Sequence, residues 1–336
     1  MKVLFDYCSY PFFFAHGGFQ VQIEQTKAAL EANGVEVEYL RWWDDAQRGA
    51  VIHYFGVPST LYLSYALERG FRVVTAPLLT ATGSRPPWKL GIQRVLIAAA
   101  RRTMPGIITG RFSWDSYRRS DACVALTSWE GHLMSYLYGA PRNRVHVVPN
   151  GVEEVFANSQ TVPRGPWLVC TATITERKRV LELAQAAVQA QTPVWIIGKA
   201  YSDSEPYAQK FLELARTQPR WIRYEGAIGD RTRLARVYRE ARGFALLSTM
   251  ESLSLSALEA AACECPLLLS DLPWARTTFK DSAAYCPVAA TGRTAAALRR
   301  FYDAAPGLKP PPKPLSWSDV ARQLKGLYER LLSTPR

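Results

Sequence analysis

The sequence predicts an α/β protein made of two doubly wound domains. Three observations carry that expectation. Short apolar runs alternate with amphipathic helical stretches along the chain, the pattern of parallel strands joined by crossover helices. The rhythm starts afresh at Trp167, after a stretch short on apolar residues that holds Pro163 and Pro166. A length of 336 residues also suits two domains of ordinary size, each able to bury its own core. The division expected is residues 1–155, residues 166–290, and C-terminal helices over 291–336 that pack back on the first domain.

Bulk composition narrows the classes. Hydrophobic residues make up 48% and charged residues 21%, which is globular and not disordered. The formal charge of +12 favours anionic partners such as nucleoside diphosphates, nucleic acid or acidic lipid. Six cysteines are scattered without a C-x-x-C pair, so a reduced, cytoplasmic setting is expected. No run approaches the roughly 18 apolar residues of a membrane span.

Taken in order, Val3 to Tyr7 is the first strand: Asp6 and Pro11 break the apolar opening, which therefore does not read as a signal peptide. A loop over residues 9–18 leads into a helix with Phe19, Ile23, Thr26 and Leu30 on one stripe and Asn33-Gly34 as its stop. His16-Gly17-Gly18 opens that helix. The glycines either let a ligand approach the backbone or simply make a tight turn, and the dinucleotide fingerprint G-x-G-x-x-G is absent. Further strands are expected at 35–40, 51–56 and 71–75. Between Arg85 and Arg119 eight cations face one acid, Asp115, with Trp88, Ile92, Val95, Leu96, Phe112 and Trp114 interleaved. That window is an anionic docking surface or a solvated basic helix packed by its apolar side. A strand at 121–126, a helix at 128–139 and a strand ending in Pro149-Asn150-Gly151 complete the first half.

The second half begins with a strand at 167–171 and a loop ending in Arg177-Lys178-Arg179. Three cations at the start of the helix over 180–189 oppose its dipole unless an anion sits there. Strands at 194–198, 222–226 and 244–247 follow, separated by helices at 207–215 and 232–241. Residues 246–271, LLSTMESLSLSALEAAACECPLLLSD, then read strand, loop, helix, turn, strand. Ser254 is the expected N-cap. A helix N-terminus suits a phosphate, and Glu259, leaning toward its helix start, shares that crevice with Glu251. Helices at 294–304 and 319–332 flank an extended proline-rich spacer.

The E-x7-E spacing of Glu251 and Glu259, with the Ala-rich helix and Cys265-Pro266 after it, resembles the second-domain signature of retaining glycosyltransferases of family 4. The stretch from Val145 to Val152 is similar to the one closing the first domain in that family. The resemblance implies a GT-B fold, two Rossmann-like domains facing across a cleft, and a nucleotide-sugar donor, UDP- or GDP-linked. It implies that Glu251 binds the transferred sugar and Glu259 the ribose hydroxyls, that Lys178 and Arg177 neutralise the leaving diphosphate, and that Gly18, Ser254, Leu255 and the turn at Ile228 complete the donor site. His16 or His132 would serve the acceptor, a glycan or lipid-linked molecule. The sequence departs from the family pattern at Ser254 and Glu264, where glycines are usual, and lacks a first-domain histidine after residues 71–75. With no D-x-D sequence and only four histidines, metal-independent transfer is expected. The departures keep two other readings open: a nucleotide-sugar-binding protein with weakened turnover, and an epimerase on the same scaffold. Peripheral contact with an anionic membrane at its inner face is expected from charge, and no nucleic-acid motif is present.

Overall fold

Two six-stranded sheets, parallel throughout, organise the chain. The structure is a computed structural model and describes residues 1–7, 17–104, 111–158, 162–202, 204–288 and 291–335. It divides into one unit of residues 1–150 and 317–336 and a second of residues 151–316.

The first unit runs β1 (Lys2–Tyr7), α1 (Gly18–Ala32), β2 (Glu36–Tyr39), β3 (Val51–Phe55), α2 (Thr60–Glu68), β4 (Arg72–Ala76), α3 (Thr80–Gly83), α4 (Pro87–Thr103), α5 (Ser116–Arg119), β5 (Ala122–Ala125), α6 (Ser128–Tyr138) and β6 (Val145–Val147). Its strand order is β2-β1-β3-β4-β5-β6. All five residues of β3 are buried, as a parallel strand covered on both faces requires.

The second unit runs α7 (Glu154–Ala157), β7 (Leu168–Thr171), α8 (Val180–Gln189), β8 (Val194–Ile197), α9 (Pro206–Thr217), β9 (Ile222–Tyr224), α10 (Arg231–Glu240), β10 (Gly243–Leu246), α11 (Leu255–Ala262), β11 (Leu267–Ser270), α12 (Pro273–Phe279), β12 (Ala284–Cys286) and α13 (Thr291–Ala304). The strand order β12-β11-β10-β7-β8-β9 is the doubly wound one. The chain builds outward from β7 to β9, then returns to the other side of β7 with β10. Between β7 and β10 the direction of winding reverses. At the end of β8 the backbone is pinched. Gly198 has φ +151°, and a Cβ there would lie 1.9 Å from the Ala172 carbonyl oxygen, so a side chain is excluded.

The last helix, α14 (Trp317–Ser333), belongs to the first unit and packs on α1. Its apolar face is buried through Trp317, Val320, Leu324 and Leu327. Lys325 donates to the Asn33 carbonyl oxygen at the end of α1, 3.0 Å away. Within the same unit Tyr328 Oη lies 2.6 Å from His53 Nδ1, while His53 Nε2 is buried without a partner among the described residues. By contrast, α13 packs on α8 in the second unit.

Two expectations are corrected. The stretch before Trp167, short on apolar residues and expected to join two domains, carries a helical turn of its own, α7. Phe156 of α7 is fully buried, its ring lies 6.0 Å from that of Tyr238, and the Arg231 guanidinium sits 4.7 Å above it. One aromatic residue is enough to anchor a single helical turn. Nor does α4 pack by Ile92, Val95 and Leu96. It packs by Leu90 and Ile97, and the other three are exposed. Arg101 is turned inward and donates to the carbonyl oxygens of Trp114 at 3.1 Å and Tyr138 at 2.9 Å. The sequence contained apolar residues on both sides of the helix, and periodicity alone could not say which side met the core.

Candidate active site

All strands of the second sheet point the same way, so the loops after β7, β9 and β10 leave from one edge. After β7 the chain enters a 3-10 turn, Glu176–Lys178, capped by the Thr175 side chain accepting from Lys178 N–H. Arg179 then takes the left-handed conformation, φ 53°, and turns the chain into α8. The loop after β10 comes alongside. Thr249 N–H donates to the Arg177 carbonyl oxygen at 2.8 Å, and Arg177 Nη1 donates back to the Met250 carbonyl oxygen at 3.1 Å. One backbone tie and one side-chain-to-backbone tie thus fix the two loops together.

Glu251 follows directly. Its Oε1 is ion-paired to Lys178 Nζ and lies 3.3 Å from Arg177 Nη1. The carboxylate and Lys178 are nearly buried, while Arg177 is 41% exposed and marks the open side. In a crevice of reduced dielectric such charges interact far more strongly than in water. Three side chains expected to act together are therefore gathered at the point of winding reversal.

Ser254 caps α11 as expected, its Oγ accepting from Ala257 N–H at 3.4 Å, and Leu255 is the first helical residue. The positive end of the α11 dipole thus opens beside the Glu251 loop. Glu259, one turn on, is buried. Arg231, the first residue of α10, donates to its Oε1, and Tyr238 donates to its Oε2 at 3.2 Å. Tyr238 in turn hydrogen-bonds Thr171, the last residue of β7. Burial raises the Glu259 pKa from the ordinary carboxylate value, against the opposing pull of Arg231. Burial likewise pushes the Tyr238 phenol well up. Glu153, just before α7, holds Arg231 from the other side, 2.8 Å from its Nε.

Arg231, Tyr238 and Glu153 were missed in the sequence. A signal existed for the first: Arg231 follows the N-cap Asp230 and is a cation at a helix start, the same anomaly seen at residues 177–179. Ile228 lies half-buried in the loop between β9 and α10, on the same edge of the sheet. The remaining candidates belong to the first unit. Gly18 opens α1 behind Gly17 at φ 120°. His132 is exposed on α6 in an aromatic ladder, stacked 5.6 Å from Trp129 and 5.4 Å from Tyr136. His16 lies outside the described residues. No group of three or more His, Cys, Asp and Glu able to hold a metal ion occurs among the described residues.

The winding reversal thus gathers two cations, a helix N-terminus and two buried glutamates. Residues 165–304 match the family model for glycosyl transferases group 1. Over that stretch, which lies in the second unit, the chain is similar to the group 1 glycosyltransferases. A D-inositol 3-phosphate glycosyltransferase of Xylanimonas cellulosilytica is 30% identical over 181 residues, which span 48% of this chain and 43% of that relative. Among solved structures, sucrose-phosphate synthase from Thermosynechococcus elongatus superposes with a TM-score of 0.68 at 17% identity, covering 99% of this chain and 100% of that one. Anabaena HepE, solved with UDP, gives 0.66 at 12% identity, covering 98% and 100%. The chain therefore has the GT-B fold, with two Rossmann-like units.

Proposed function

We propose that the protein is a retaining glycosyltransferase that moves a hexose from a nucleoside-diphosphate sugar, UDP- or GDP-linked, to a glycan or lipid-linked acceptor. The observation that supports this reading best is the convergence of Lys178, Arg177 and Glu251 at the reversal between β7 and β10, beside the N-terminus of α11. A diphosphate entering there meets two cations and a helix dipole already in place, and such preorganised groups stabilise a leaving diphosphate without moving during the reaction. Lys178 and Arg177 then exchange Glu251 for phosphate oxygens. The freed carboxylate accepts hydrogen bonds from the sugar hydroxyls, which need a paired acceptor. Glu259 takes the ribose hydroxyls, with Arg231 and Tyr238 fixing its orientation. Ile228 offers its backbone to the base, and Ser254 and Leu255 offer N–H groups to phosphate. The charge is met by cations of the chain, so the transfer proceeds without a metal. The leaving phosphate oxygen itself takes the acceptor's proton, which removes the need for a protein nucleophile. His16 and His132 are assigned to the acceptor side.

One observation favours a second reading, a nucleotide-sugar-binding protein with weakened turnover. Both glutamates are already paired with cations, so a donor has to displace Glu251 from Lys178. An acceptor screen separates the two. UDP- and GDP-hexoses are incubated with the protein, with and without phosphoinositol, glycan and polyprenyl-linked acceptors. Nucleoside diphosphate released only when an acceptor is present supports transfer. Binding of a donor with no release under any acceptor supports the second reading.

A further inference from the structure

The helix α4 carries a feature that the donor site does not use. Trp88, Ile92, Val95 and Leu96 are 62%, 53%, 68% and 62% exposed. Their spacing of four, seven and eight residues puts them on one face, opposite the buried Leu90 and Ile97. A soluble surface scatters large apolar residues singly; four of them contiguous along one helix mark a contact surface. At 100° per residue, Lys89 falls at one margin of this stripe and Arg102 at the other, and α4 contains no acidic residue. Arg85 precedes the helix and Arg94 lies on its flank, 4.5 Å over the Tyr136 ring. Beyond its end, Phe112 is also exposed, stacked 4.7 Å on Trp114 beside Arg111.

We propose that α4 is an interfacial helix that seats the first unit on an anionic lipid surface, with Trp88, Ile92, Val95 and Leu96 entering the boundary between headgroups and acyl chains. An apolar stripe edged by cations is the chemistry such a surface selects: the apolar face is buried and the cations meet lipid phosphates. A second copy of the chain fits less well, because pairing two such faces brings Lys89 and Arg102 of each toward like charges. The helix lies in the interface and does not span, and no described helix is long and apolar enough to cross a membrane. An acceptor drawn from the bilayer is the consequence for catalysis. That consequence rests on the transferase reading, whereas docking does not.

The test is co-sedimentation of the full chain with vesicles of phosphatidylcholine alone and of phosphatidylcholine with phosphatidylglycerol. The parent is expected in the pellet with the anionic vesicles and in the supernatant with neutral ones. The Arg85→Gln, Lys89→Gln, Arg102→Gln triple variant is expected to lose on the order of a hundredfold in affinity, at roughly fivefold per cation. The Ile92→Asn, Leu96→Asn double variant should lose at least about tenfold, even at low salt where charge attraction is strongest. Both sets of side chains are exposed, and an unchanged circular dichroism spectrum and melting midpoint confirm folding. A parent that stays in solution with every vesicle overturns the proposal, as does full binding by the double variant. A concentration-dependent dimer abolished by Ile92→Asn, Leu96→Asn, with no vesicle binding, assigns the stripe to self-association and also overturns it. Nucleoside diphosphate titration run alongside keeps the two readings apart: failure to bind nucleotide while binding vesicles counts against the transferase alone.

Discussion

Lys178, ending the turn after β7, is ion-paired to Glu251 in the loop after β10, across the place where the winding of the second sheet reverses. The pair gives the ligand-free site a built-in counterion. It holds the lysine in place and keeps a buried carboxylate from standing alone, which would cost several kcal/mol. It also sets the exchange that a diphosphate must make on entry.

Replacing Lys178 by Met should therefore separate rate from nucleoside binding. A charge-assisted hydrogen bond contributes about 1.5–3 kcal/mol, so turnover should fall about 10- to 150-fold. Affinity for the bare nucleoside, which has no phosphate, should stay within about twofold of the parent, since no such contact is lost. Steady-state rates beside nucleoside titration check this, and parallel losses of both would remove Lys178 from the diphosphate.

Glu259→Gln addresses the ribose. The amide keeps an acceptor for Tyr238 but offers one carbonyl oxygen where the carboxylate offers two. Affinity for a nucleoside diphosphate should drop by about 1–3 kcal/mol. A 2′,3′-dideoxy analogue should bind parent and variant alike, because it has nothing to offer the carboxylate. Since burial raises the Glu259 pKa, parent affinity should also decline as pH falls toward that raised value, and this pH dependence should vanish in the variant.

Tyr328→Phe probes how α14 is tied to the first sheet. Removing the hydroxyl leaves His53 with both ring nitrogens buried and unpartnered, at a cost of about 1–3 kcal/mol. Denaturant unfolding should show the loss. A variant as stable as the parent would mean that the pair contributes nothing to holding the helix.

His53 also gives the first unit a pH dependence of definite sign. Burial lowers its pKa from 6.5 to about 3, so the folded state keeps the ring neutral where the unfolded chain protonates it. The stabilisation is fully present above pH 6.5 and is lost as pH falls from there toward 3. A melting midpoint that falls between pH 6.5 and 4 in the parent, and falls less in His53→Phe, is the expected result. Equal slopes would assign the acid sensitivity to other groups.

How much of this could be read from residues alone depended on whether the signal was local. The α8 and α11 boundaries were legible because propensity, Ser254 as cap and Pro266 as stop agree within a few residues. Glu264 stands where the resemblance to family 4 implies a glycine. The structure gives the reason, a left-handed φ of 57° that glycine adopts without cost. Arg231 escaped because its partner Glu259 is 28 residues away, and nothing in spacing links the start of α10 to the second turn of α11. The outward face of α4 escaped for a related reason. A helix apolar on two sides has two possible inward faces, and only its neighbours α6 and the Tyr117 region decide between them.

In the proposed reading the winding reversal of the second unit holds a nucleoside diphosphate between Lys178, Arg177 and the start of α11. Isothermal titration of UDP and GDP into the parent and into an Arg177→Ala, Lys178→Ala double variant tests it most directly. The parent should bind at least one of the two saturably. Removing two charge-assisted contacts should weaken it by about 3–6 kcal/mol, below detection for a micromolar ligand. Undiminished binding by the double variant, or no binding of either nucleotide by the folded parent, would contradict it.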